Sequence, residues 1–189
     1  MCGESCFEMR LFVAIEVSPE IRNRISEFVN QAKHRLANAR WVRPEGLHVT
    51  LKFLGNVADE RRVSIESALQ KVKARQFELS VRNIGFFPNP KSPRVLWVGL
   101  HSGPELASLA EGTDEALTLL GFEREKRAFT PHVTLARFME RSRTRNVNTV
   151  LPDLNPSFGT MTAKEFHLYE SKLSPKGASY SKIASFPLH

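Results

Sequence analysis

The chain has 189 residues, 41% of them apolar, with 27 Lys plus Arg against 20 Asp plus Glu and a net charge of +7. This length and composition suit one compact domain, or two small lobes sharing a core, and argue against a disordered chain; the basic excess favours a polyanionic partner. No apolar run approaches a membrane-crossing helix and residues 11–15 are too few for the core of a secretory signal, so a cytoplasmic protein without membrane contact is expected.

Residues 1–9 read as a flexible leader. It holds both cysteines, Cys2 and Cys6, and two thiols with no neighbouring Cys or His pair do not complete a zinc site. Residues 10–17 alternate Leu11, Val13, Ile15 and Val17 against Phe12, Ala14 and Glu16, the period of a strand with one buried face. Ser18 then Pro19 is an N-cap with proline at the first helical position, and Ile21, Ile25, Phe28, Val29, Ala32 and Leu36 follow at helical spacing. A strand is expected over 47–54, closed by Gly55 and Asn56, then a helix over about 59–74 with Val63, Leu69 and Val72 inward. Strands over 77–86 and 94–100 flank a loop whose prolines, Pro88, Pro90 and Pro93, fit a hairpin connection. Leu106, Leu109, Ala110, Thr113, Leu117 and Leu120 mark a third helix with Gly121 as its C-cap. A strand at 130–138, an arginine-rich stretch at 140–148, and strands at 158–170 and 180–187 around the turn signal Pro175, Lys176 and Gly177 complete the chain.

Helix, histidine strand, linker and strand pair thus come twice in the same order, and no linker-like composition separates the halves. The expected fold is α+β: two pseudo-symmetric lobes of mostly antiparallel sheet with outer helices, residues 10–189 forming a single bilobal domain with a cleft between the lobes.

The repeated motif is His48-Val49-Thr50-Leu51 and His132-Val133-Thr134-Leu135. Alternation along a strand places His48, Thr50 and Lys52 on one side and Val49, Leu51 and Phe53 on the other, and treats His132 and Thr134 likewise. Each strand buries an apolar face and presents a histidine beside a hydroxyl, and an approximate two-fold axis would turn these faces towards one another across a cleft. In-line substitution at phosphorus needs a proton transferred on each side, to the leaving oxygen and from the attacking one. Two imidazoles with an ordinary pKa of about 6.5 can divide those roles, while hydroxyls and a cation stabilise the charge developing on the non-bridging oxygens. Two histidines without a third ligand at metal spacing, and without a His-Glu-x-x-His or carboxylate cluster, argue against a metal.

The segments from His48 to Gly55 and from Pro131 to Arg137 resemble the 2H phosphoesterase superfamily, in particular its RNA 2′,3′-cyclic phosphodiesterase branch, also called 2′-5′ RNA ligase. Arg10 to Ile15, Trp41 to Leu47, Phe86 to Pro88, Pro93 to Trp97, Leu168 to Ser171 and Phe186 to Leu188 extend the resemblance from residue 10 to the C-terminus. It implies hydrolysis of an RNA or nucleoside 2′,3′-cyclic phosphate to a 2′-phosphomonoester, with His48 as the acid on the 3′ oxygen and His132 as the base on water. The motifs are near copies, so the residues alone do not divide these roles. An RNA 5′-hydroxyl in place of water would give reversible 2′-5′ ligation, and the resemblance implies that no cofactor is needed for either reaction. RNA with cyclic phosphate ends, tRNA-like fragments among them, is the implied partner of a monomer. The rival readings are a non-catalytic RNA-binding module of the same fold and a 2H enzyme for 2′-5′ oligoadenylate or the cyclic phosphate of ADP-ribose.

Arg137 matches the family arginine that would steady the phosphate, yet strict alternation puts it on the face opposite His132, so it needs a bulge to reach the cleft. Phe12 shares a side with Ala14 and Glu16, where a base could stack on it or the core could enclose it. Lys52 falls on the His48 side and could attract phosphate. Arg124, Lys126, Arg127, Arg141, Arg143 and Arg145 flank the second motif and suit an RNA backbone. His34, His101, His167 and His189 have no partner motif and are read as structural or incidental.

Overall fold

A computed structural model describes residues 8–36, 39–139, 151, 155–174 and 177–189. Nine strands and three helices follow in the order β1 (Glu8–Glu16), α1 (Pro19–Ala32), β2 (Ala39–Trp41), β3 (His48–Ala58), α2 (Arg62–Leu69), β4 (Phe77–Phe87), β5 (Val95–His101), α3 (Glu105–Thr118), β6 (His132–Phe138), β7 (Ser157–Ala163), β8 (Glu165–Ser174) and β9 (Gly177–Pro187). The leader cysteines, the arginine-rich stretch and two residues of the last turn signal lie outside the described residues.

The strands form one sheet in the order β7-β4-β5-β6-β3-β1-β8-β9, with β2 also paired to β6. The pairings are antiparallel, as expected of an α+β chain with hairpin connections. The order is symmetric about the β6/β3 junction, where the two histidine strands meet. The sequence halves do not map one to a lobe, however. β4 to β7, consecutive in sequence, make up the β6 side of that junction, while β1 and β3 are joined on the other side by β8 and β9 from the far end of the chain, so β4 leaves the first repeat and β8 and β9 leave the second.

Leu11, Val13 and Ile15 of β1, Val49 of β3, and Val133 and Leu135 of β6 enter the main core, at or near zero exposure. Ser18 caps α1 as expected, its hydroxyl accepting from the Ile21 amide at 3.4 Å. Gly121 takes a φ of 86°, which glycine reaches without Cβ strain, and ends α3. Several expectations fail locally. Glu8 and Met9, read as leader, belong to β1 and pair with Ala58 and Val57, so β3 also runs past the end expected at Gly55 and Asn56. The second helix is only Arg62–Leu69 behind a turn of 3-10 helix, and Val63, expected inward, is 72% exposed. What reads as one strand over 158–170 is β7 and β8, broken at Lys164.

Bulges in the histidine strands decide which side chains reach the cleft. Val13 pairs with Lys52 and Ala14 with Thr50, leaving Leu51 unpaired; Leu96 pairs with Ala136 and Trp97 with Thr134, leaving Leu135 unpaired. One extra residue reverses the alternation beyond it, so both strands run half-buried, buried, half-buried, buried, buried, exposed. Lys52 therefore leaves the His48 side, correcting the phosphate reading given to it. It is buried, pairs with Asp114 of α3 and donates to the Glu123 carbonyl at 2.6 Å. Removing one partner of a buried pair strands the other charge, so Lys52→Met is expected to cost about 3 kcal/mol of unfolding free energy in urea, most of it regained in Lys52→Met/Asp114→Leu. A loss below about 1 kcal/mol in the single variant would contradict the assigned role.

Candidate active site

The two histidine strands meet at a single register point, Val49 opposite Val133. Continuing that antiparallel register by one residue each way sets His48 beside Thr134 and Thr50 beside His132, all four on the same face. Diagonal neighbours in such a pair stand about 7 Å apart, a separation that admits a phosphate between two imidazoles. All four side chains are half-buried.

His132 Nδ1 lies 2.7 Å from the Thr130 carbonyl, two residues upstream. A carbonyl only accepts, so Nδ1 carries the proton and Nε2 is left for chemistry. For His48 the backbone of Gly46, again two residues upstream, acts on the ring in favour of its charged form. Aromatic walls flank both. Phe12 and Tyr180 lie 4.7 and 5.0 Å from the His48 ring, with Tyr169 at 6.3 Å. Phe87 and Trp97 lie 5.0 and 6.2 Å from His132. The Trp97 ring crosses Gly85, where an added Cβ would come within 2.1 Å of it, so the second wall needs glycine there.

Burial lowers the pKa of His48 to about 4; the Gly46 hydrogen bond opposes this, and the charges of His132 and Arg137 add to it. His132 is lowered from the ordinary histidine value by burial first, against the Thr130 hydrogen bond, and then by Arg137. Both rings are thus mainly neutral at pH 7 in the free protein, and a bound phosphate anion would favour their protonation.

The β6 bulge bears directly on Arg137. By reversing the alternation it turns Arg137 to the cleft side, exposed and close enough for its charge to act on both histidines. Phe53 stands at the same offset from His48 as Arg137 does from His132, and the β3 bulge gives it the same outcome: it is 64% exposed, 5.9 Å from Phe12. The base-stacking reading of Phe12 is corrected accordingly. Phe12 is 2% exposed, stacked on Tyr169 and covered by His48 and Tyr180, so it supports the ring and offers no free face. Sequence reading missed Phe53, Phe87, Trp97, Tyr169 and Tyr180. Trp97 faces the cleft by plain alternation from its partner Thr134, whereas Phe53 needed the bulge.

Of the remaining histidines, His167 is 1% exposed with Nδ1 2.9 Å from the Ser185 hydroxyl, a structural placement. Among the described residues no three His, Cys, Asp or Glu side chains gather where they could hold a metal ion.

A family model described as LigT like phosphoesterase matches residues 15–97 and again 98–180. An RNA 2′,3′-cyclic phosphodiesterase of Archaeoglobus fulgidus is 38% identical over 94% of this chain and 99% of its own length. Among solved structures, TT0787 of Thermus thermophilus superposes with a TM-score of 0.82 at 28% identity, covering 95% of this chain and 98% of that one. Escherichia coli LigT complexed with 3′-AMP gives 0.79 at 27% identity, covering 96% and 99%.

Proposed function

The chain belongs to the LigT-like phosphoesterase family, and on that premise we propose that it hydrolyses RNA or nucleoside 2′,3′-cyclic phosphates to 2′-phosphomonoesters by acid and base catalysis from His48 and His132, without a metal. The observation that supports this best is the shared face of the two motifs: two imidazoles, that of His132 tied through Nδ1 to a carbonyl, with Thr50 and Thr134 on the same face. The relatives named as cyclic phosphodiesterases of RNA support the substrate class, and the 3′-AMP complex of the related LigT supports a nucleotide in the cleft.

In this reading the cyclic phosphate lies between the rings. His132 Nε2 takes a proton from water as the oxygen attacks phosphorus, and His48 gives a proton to the departing 3′ oxygen, so the ring opens to a 2′-monoester and a 3′-hydroxyl. The division of roles follows the family resemblance. Thr50, Thr134 and Arg137 donate to the non-bridging oxygens, where negative charge grows in the transition state. Phe53 offers the terminal base a stacking face. A 5′-hydroxyl entering in place of water would form a 2′-5′ linkage by the same proton transfers. No helix among the described residues is long and apolar enough to cross a membrane; the reading takes the enzyme as a cytoplasmic monomer.

The pH dependence of kcat/KM tests the proton assignment. One ring must be charged and the other neutral, so activity falls with acidification through the lower pKa and with alkalinisation through the higher one. Both free-protein values lie below 6.5, one at about 4. The expected profile is a bell with its optimum on the acid side of pH 6.5, and the kcat profile keeps activity to higher pH because bound phosphate raises the pKa of the acid. A kcat/KM optimum above about pH 7 would contradict the assignment.

A further inference from the structure

Beyond Arg137 the same face of the sheet carries Arg40. β2 and β3 lie on the same edge of β6, and Arg40 is the direct partner of Arg137. Directly opposed residues of an antiparallel pair project to one face, so two guanidinium stems stand side by side there, both exposed. Among the described residues neither has an acidic partner. Like charges in this relation disfavour the pairing unless an anion lies against them.

The other repeat provides a contrast. Arg124 precedes His132 by the same number of residues as Arg40 precedes His48, yet Arg124 is 3.7 Å from both Asp114 and Glu115 and its charge is compensated. The two ends of this face therefore differ: aromatic Phe53 at one, a doubled cation without an acidic partner among the described residues at the other. A terminal nucleotide with a 2′,3′-cyclic phosphate carries its next negative charge at the phosphodiester on its own 5′ side.

Resting on the proposed function, we infer that Arg40 is a second phosphate subsite that takes this upstream phosphodiester, so the protein favours RNA ends over free cyclic mononucleotides. The test compares kcat/KM for a trinucleotide ending in a 2′,3′-cyclic phosphate with that for a cyclic mononucleotide lacking a 5′-phosphate. The trinucleotide-to-mononucleotide ratio is expected to fall about tenfold in Arg40→Gln, as for one lost charge-assisted contact, and to recover in part in Arg40→Lys. The slope of log kcat/KM against log salt for the trinucleotide should become shallower by about 0.7. Because the ratio is internal to each preparation, a partly folded variant does not mimic the effect. An unchanged ratio, or an equal loss on both substrates, overturns the subsite. If the wild type turns over neither substrate, the proposed function fails, and fluorescence anisotropy with a trinucleotide bearing a 3′-phosphate decides the subsite separately: weaker binding by Arg40→Gln supports it, and an unchanged Kd overturns it.

Discussion

Replacing His132 or His48 with alanine is expected to lower kcat on a 2′,3′-cyclic nucleotide by about 10³-fold each, within the range for loss of a positioned acid or base. The effect should be similar for the two because their settings are alike: each ring feels the backbone two residues upstream, is walled by aromatics and is placed beside the other motif's threonine. Both proton transfers belong to one displacement, so the double variant should lose much less than the product of the single losses. Single-turnover kinetics with unchanged urea midpoints would establish this. Retention of more than about a tenth of wild-type kcat by either single variant would contradict the shared role.

Arg137→Ala should cost about 10²-fold in kcat, the scale for removing one preorganised donor to developing charge. The same substitution has a second signature. Arg137 lowers the pKa of both histidines; without it both rise, and the whole kcat/KM bell should move to higher pH. Loss of activity with no alkaline displacement would mean that Arg137 acts elsewhere than beside the two rings.

The sequence made the histidine strands legible because alternation is strict over their first four residues, where His, Val, Thr and Leu fall in turn on cleft and core sides. It stopped being legible at the bulges. Leu51 and Leu135 sit between positions that read equally well in either register, and nothing in the local pattern announces that the alternation reverses there. Lys52, Phe53 and Arg137 all depend on that reversal, so parity alone assigned Lys52 to the cleft and turned the other two away from it. β2 is three residues long, too short for any period to register, yet it brings Arg40 beside Arg137. The repeat and the β4/β5 hairpin were readable, but the seating of β8 against β1 was not, since hairpin signals do not say which distant strand an edge will meet. Phe12 was placed on the correct side of β1; its burial depends on Tyr169 and Tyr180, which arrive from β8 and β9.

The central claim, hydrolysis of a cyclic phosphate by two histidines without a metal, is tested most directly by incubating the wild-type protein with a single 2′,3′-cyclic nucleotide in excess chelator and identifying the product. The account predicts the 2′-phosphomonoester at the same rate as without chelator. Formation of the 3′-phosphomonoester, loss of turnover on chelation, or no hydrolysis at all would contradict it.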